Sequence, residues 1–242
     1  MANSVDVLFS GFPGKAEQTY LGWSTVALVH TDEGPLLVDT GGHGARPFLV
    51  RALAERGLRC EDIGHVFLTH LHFDHCANLS LFPKALFYLS RAEWEHAWTG
   101  EDPCTLEGVL PPLKGEYAKR LVETDGEEIL PGLRAYLTPG HTPGCLSLVG
   151  REGRQRWAVC GDSVKNRIEL IREEVAMTRS PEASAESIRK VKKMADRVLP
   201  GHDCWLRIEE GAIVPEGGND IEITLPEGMS MGGRRIITLS LD

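Results

Sequence analysis

The sequence predicts an α+β chain folded as a four-layer αββα sandwich, one domain over residues 1–242 with a β-like tail at 209–242. Three observations predict it. Short apolar runs broken by turns fill the first forty residues, strand and helix patterns alternate after that, and His- or Asp-bearing blocks recur at the polar ends of the apolar runs. Elements with one apolar face bury it by stacking in layers, and this order of elements suits two sheets with helices outside them.

Each element has a local reason. Val5-Asp6-Val7-Leu8-Phe9 reads as a first strand stopped by Gly11 and Gly14. Residues 20–30 read as a second, best in 25–29; Asp32-Glu33-Gly34-Pro35 turns the chain into Leu36-Leu37-Val38. Residues 45–56 read as a helix with Phe48, Leu49, Ala52 and Leu53 on its apolar face and Gly57 as its stop. Val66-Phe67-Leu68 is a buried strand, residues 75–81 begin a helix, and Ala85-Leu86-Phe87-Tyr88-Leu89 is the next strand. Ser90 caps a helix through Trp98, with Glu93 as the reciprocal capping-box carboxylate. Gly and Pro make 100–115 a loop. Residues 133–137 are a strand, and 146–149 with 157–160 form a hairpin. Ser180-Pro181-Glu182 starts a helix with Ile188, Val191 and Met194 on one face, and Arg197-Val198-Leu199 is a short strand. Residues 221–225 and 236–239 read as late strands that extend a sheet edge or pair with a second copy, which makes a homodimer an expectation.

A formal net charge of −9 argues against an extended nucleic-acid surface, so a nucleic-acid partner is not expected. The first twenty residues lack a basic leader and an uninterrupted apolar stretch, and no run is long enough to span a bilayer. A cytoplasmic protein with no membrane partner is the expectation. The six cysteines are irregularly spaced without a CxxC pair, which favours reduced thiols over a structural zinc site; Cys76 and Cys204 adjoin histidine blocks.

The densest chemistry lies in His70-Leu71-His72-Phe73-Asp74-His75, three imidazoles and a carboxylate directly after an apolar strand. Thr138-Pro139-Gly140-His141, Gly161-Asp162 and Pro200-Gly201-His202 each follow another apolar run. Packing four ionisable groups in one loop without a partner is costly, so the pattern points to metal ligands. His70 and His72, two apart in extended chain, face one point; a change to helix lets Asp74 and His75 face a second. Two ions about 3.5–4 Å apart then suit the spacing. One site takes His70, His72 and His141, the other Asp74, His75 and His202, and Asp162 bridges because a carboxylate offers an oxygen to each ion. The expected cofactors are two divalent metal ions, zinc first, with manganese or iron as alternatives, because His and carboxylate ligands accept several metals.

Asp39-Thr40-Gly41, the His70–His75 block, His141, Asp162 and His202 together resemble the metallo-β-lactamase superfamily over roughly residues 5–208. The resemblance implies metals at the rim between two sheets, a hydroxide between them as nucleophile, Asp74 orienting it as the catalytic carboxylate, and Asp39 supporting the ligand loop without binding metal. The His70–His75 block is similar to that of compact acyl-homoserine lactonases, which generally carry Tyr three residues beyond the bridging Asp; this chain has Lys165 there. Residues 78–83, 158–162, 180–182 and 195–202 resemble a small animal branch of the superfamily.

The resulting expectation is a dinuclear metal-dependent hydrolase that cleaves a small-molecule ester, lactone or thioester. The alternatives are a phosphodiesterase or ribonuclease, as the animal branch implies, and a mononuclear iron oxygenase. Candidate substrate contacts are Phe12, Tyr20, Phe73, Lys165 and Arg167. Trp94 and Trp98, four apart on one helix face, either form a lid with the loop after Gly100, within 94–120, or belong to a core stripe.

Overall fold

The computed structural model describes residues 3–217 and 220–240. Six strands make the first sheet: β1 (Ser4–Phe9), β2 (Val26–Thr31), β3 (Gly34–Val38), β4 (His65–Phe67), β5 (Leu86–Ser90) and β6 (Lys119–Val122), in that spatial order. β1 to β3 are antiparallel, whereas β3 to β6 are parallel. Parallel neighbours need crossovers, and these carry α1 (Arg46–Glu55), α2 (Phe73–Cys76), α3 (Arg91–Ala97) and α4 (Leu110–Gly115). The second sheet contains β7 (Glu127–Leu130), β8 (Leu133–Leu137), β9 (Leu146–Glu152), β10 (Gln155–Gly161), β11 (Arg197–Pro200), β12 (Trp205–Glu209) and β13 (Ala212–Glu216). Only β10 and β11 run parallel in it, and α5 (Arg167–Arg172) and α6 (Pro181–Met194) lie in their crossover.

Side-chain alternation along the strands builds the layers. Val26 and Leu28, Val66 and Leu68, and Phe87 and Leu89 point to a core shared with Leu49, Leu53, Leu110 and Leu113 of α1 and α4. The intervening Ala27, Phe67 and Tyr88 point the other way, where they meet Leu133, Leu148, Trp157 and Val159 of the second sheet. Ala158, Cys160 and Val198 then face Leu170, Ile188 and Val191 of α5 and α6. Three cores between four layers make the αββα sandwich, and a fully buried Leu or Phe contributes about 1.5–3 kcal/mol to it.

Several local expectations are corrected. The second strand begins at Val26; residues before it fold back on the first loop through Phe12↔Trp23 and Lys15↔Tyr20 bridges. Phe48 is 53% exposed, because α1 buries Leu49, Ala52 and Leu53 and a residue one step earlier lies about 100° round the helix; its ring stacks on Arg51 instead. The segment read as a helix at 75–81 is α2 followed by a separate 3₁₀ turn at Leu79–Leu81. The loop at 100–115 contains α4, whose Pro residues are pre-set for a first turn. β14 (Ile221–Thr224) and β15 (Ile236–Leu239) pair with each other and, among the described residues, extend neither sheet. All six cysteines are free thiols. Among the described residues no helix is long and apolar enough to cross a membrane.

Candidate metal centre

The sandwich brings seven side chains from both sheets to one rim. β4 ends just before the His70–His75 loop, and the backbone changes from extended at His72 (φ −72°, ψ 152°) to helical in α2. His141 follows β8, Asp162 follows β10, and His202 follows β11. The Pro-Gly before His202 has a steric reason: a Cβ at Gly201 would fall 2.2 Å from Asp162 Oδ1.

Three overlapping ligand-like groups result, each with donor atoms within 4.8 Å of one another: His70, His72 and His141; Asp74, His75 and His202; and His70, His75 and Asp162, which links the other two. His72 Nδ1 lies 3.0 Å from His141 Nε2. The Asp162 carboxylate stands between the groups: Oδ2 is 3.3 Å from His141 Nε2, and Oδ1 is 3.2 Å from both His75 Nε2 and His202 Nε2. Asp74 Oδ2 lies 3.5 Å from His202 Nε2 and 3.7 Å from His75 Nε2.

The far nitrogen of every one of these imidazoles is occupied. His75 Nδ1 donates to Asp39 Oδ2 at 2.7 Å, His72 Nε2 to Asp102 Oδ2 at 3.0 Å, His141 Nδ1 to the Met177 carbonyl at 3.1 Å, and His202 Nδ1 to the Trp23 carbonyl at 2.9 Å. Thr69 Oγ1 gives its hydrogen to Asp39 Oδ2, so it accepts from His70 Nδ1 at 3.1 Å. Carbonyls and carboxylates only accept, so each outer nitrogen carries a hydrogen and each neutral ring turns a lone pair inward. At the focus, His70 Nε2, His75 Nε2 and Asp162 Oδ1 are buried and make no hydrogen bond, the last two meeting only as a charge pair at 3.2 Å. An unpaired buried acceptor such as His70 Nε2 costs about 1–3 kcal/mol, which a cation at the focus would relieve. The nitrogen and oxygen donor set fits a divalent transition metal.

Electrostatics divide the groups. Burial, and then the neighbouring imidazoles His75, His72 and His141, pushes His70 far below the usual histidine range. Burial likewise lowers His141, to about 4, with Asp162 opposing it. Burial also disfavours protonated His75 and His202, but Asp74 and Asp162 outweigh it for both and Asp39 adds to the effect on His75, so both rings are raised. Burial works against ionised Asp162, yet His202, His75 and His141 hold its carboxyl well below its ordinary value. The second group thus attracts a positive charge in the place where a metal would lie.

A cleft of about 430 Å³ opens beside His72, Asp74, His141, Asp162 and His202. Phe12, Tyr20 and Phe73 form part of its wall, with the Tyr20 and Phe73 rings 5.7 Å apart. Lys165 also lines it, but its Nζ donates to the Ala176 carbonyl and lies 3.4 Å from Glu169 Oε1. Arg167 does not line this cleft: its guanidinium pairs with Asp203 at 2.8 Å, next to His202. Trp94 and Trp98 pack on each other, and neither lines the cleft. Cys76 belongs to the outer core beside α1, and Cys204 lies beside Arg167.

Three residues escaped the sequence reading. Asp102 holds His72 from a loop thirty residues away, and the His72 hydrogen bond keeps its carboxyl well below the usual range. Glu93 does not close a capping box: Ser90 Oγ accepts from its backbone N–H, but its carboxylate turns inward to Leu71 N and Thr142 Oγ1. Cys104 lines the cleft. No spacing signal marks Asp102 or Cys104; for Glu93 the S-x-x-E pattern suggested the wrong partner.

The metallo-β-lactamase superfamily profile matches residues 21–202. The chain is 35% identical over 189 residues to mouse metallo-β-lactamase domain-containing protein 1, covering 77% of this chain and 66% of that protein, just under two thirds of its length. It is 28% identical over 204 residues to an N-acyl homoserine lactonase of Bacillus cereus, covering 73% and 79%. A metallo-β-lactamase-like crystal structure from Thermotoga maritima superposes with a TM-score of 0.71 at 20% identity, covering 86% of this chain and all of that one. With the fold, the profile and the mouse relative in agreement, the chain belongs to the metallo-β-lactamase superfamily.

Proposed function

We propose that the chain is a dinuclear enzyme that hydrolyses a small ester, lactone or thioester. The observation that carries this reading is the convergence of seven side chains, the five histidines with their far nitrogens committed, while His70 Nε2, His75 Nε2 and Asp162 Oδ1 are buried and make no hydrogen bond. His70, His72 and His141 would hold one ion, Asp74, His75 and His202 the other, and Asp162 would contribute an oxygen to each. When bound, such a pair, zinc first, lowers the pKa of water from about 15.7 towards about 7 and offsets negative charge on an attacked carbonyl. A mononuclear iron site would leave Asp74, His75 and His202 without a task.

The chain's own residues do the rest. Asp74 lies at the cleft floor, where its carboxylate accepts a hydrogen bond from an attacking water and orients it towards a carbonyl. Phe12, Tyr20 and Phe73 give the substrate an apolar wall and exclude bulk water. The cleft's cations favour a neutral substrate over a nucleic-acid strand: Lys165 is paired with Glu169, and Arg179 is paired with Glu101 at 2.6 Å. Neither is spare for a row of phosphates. The 28% identical lactonase supports the lactone among the three esters.

Metal analysis should return two ions per chain, and the loaded protein should turn over lactone or thioester substrates but not single-stranded RNA. Asp162→Ala should nearly abolish turnover. RNA cleavage alone, lost in Asp162→Ala, would reverse the reading.

A further inference from the structure

The Glu93 side chain is buried, 1% exposed, and no cation is paired with it among the described residues. Its Oε1 accepts from Leu71 N at 2.9 Å, and Leu71 stands between His70 and His72. Its Oε2 accepts from Thr142 Oγ1 at 2.6 Å, and Thr142 follows His141. One carboxylate therefore ties together the two loops that carry the whole first group of histidines. The rest of the α3 first turn fastens the same place. Ser90 Oγ donates to the Gly144 carbonyl at 2.6 Å, and a Cβ at Gly144 would fall 2.0 Å from Glu93 N.

We propose that Glu93 is a positioning residue that sets the spacing of His70 and His72 against His141. The inference rests on the reading of those three as ligands of one ion. Burying a carboxylate is unfavourable, and burial accordingly raises the Glu93 carboxyl above its ordinary value. An apolar side chain would fill this buried space without that penalty. What an apolar side chain lacks is two acceptors on one rigid plane, aimed at donors from loops 22 and 49 residues distant. Hydrogen bonds that orient metal ligands from outside typically contribute about 10- to 100-fold to metal affinity.

The test is stepwise metal titration against a chromophoric chelator for the wild type, Glu93→Leu, Glu93→Gln and Thr142→Val. Cadmium NMR gives the nitrogen-rich and the carboxylate-containing sites separate resonances, and so assigns each affinity to its site. Glu93→Leu should weaken the three-histidine site about 10- to 100-fold and leave the Asp74, His75 and His202 site unchanged. Glu93→Gln, which keeps one acceptor, should recover part of the loss, and Thr142→Val should remove one arm only. Should Glu93→Leu fail to fold, the latter two variants carry the test. Equal weakening at both sites, or unchanged affinities with a lower Tm of the metal-free protein, would overturn the proposal and make Glu93 a packing residue. A wild type that binds fewer than two ions would instead overturn the two-ion reading, and this inference with it.

Discussion

Replacing Asp39 by Asn should misplace a single hydrogen on His75, and the structure gives the size of the effect. Asp39 accepts three hydrogen bonds, from Thr69 N and Thr69 Oγ1 at 2.8 Å each and from His75 Nδ1 at 2.7 Å. Its backbone is left-handed, with φ 58°, a conformation that Asn tolerates, so the substitution adds no backbone strain. The amide oxygen of Asn can keep Thr69 N–H. The amide nitrogen then faces His75 Nδ1, and a donor there drives the ring hydrogen to Nε2, the atom that would face a bound ion. Losing a hydrogen bond to a charged acceptor costs about 1.5–3 kcal/mol. At about 1.4 kcal/mol per factor of ten, the usual 10- to 100-fold contribution of such partners corresponds to about 1.4–2.8 kcal/mol. The two estimates agree. Chelator competition at neutral pH measures the affinity, and long-range nitrogen–proton NMR of the ring reports which nitrogen holds the hydrogen. Wild-type affinity in Asp39→Asn, or a hydrogen still on Nδ1, would refute the reasoning.

Other consequences are equally direct. Protons and metal compete for His75 and His202, both raised in the metal-free protein, whereas His70 and His141 are already neutral at pH 7. Metal binding should therefore release protons and strengthen as pH rises, and calorimetry in buffers of different ionisation enthalpy should detect the release; none at pH 7 would contradict the assignment. Lys165→Met removes the ammonium beside the buried Glu169 carboxylate, leaving it only the residue-165 backbone N–H, and should cost about 3–5 kcal/mol of stability by chemical denaturation. Burial already raises the Glu169 carboxyl, and losing Lys165 raises it further, so the deficit should be greatest near neutral pH and shrink as acidification protonates it. Phe82→Ala empties a site that is 1% exposed in the outer core and should lower stability by about 3–5 kcal/mol.

What could be read from the sequence was what is local. The His70–His75 block, Asp162 and His202 announce themselves because each sits where an apolar strand stops, and a strand's end is visible in one dimension. The unbroken apolar runs Val26-Ala27-Leu28-Val29 and Trp157-Ala158-Val159-Cys160 similarly mark strands with two covered faces. Strands β6 and β7 escaped because four residues with charges among them carry little periodic signal. Asp102 escaped because its partner, His72, is distant in sequence. Glu93 was misassigned because the local capping rule offered it a partner, and the Leu71 and Thr142 donors brought by folding prevailed. Arg167 looked available only because Asp203 lies thirty-six positions away.

The proposed ligands are carried by both sheets: His70, His72, Asp74 and His75 follow a strand of the first, and His141, Asp162 and His202 follow strands of the second. On the two-ion reading neither half of the chain holds a complete binding set, so full affinity would arise only when the halves dock. Ion uptake during refolding should then appear as a late event, after each sheet has formed, and the ions should slow separation of the sheets more than fraying within either one.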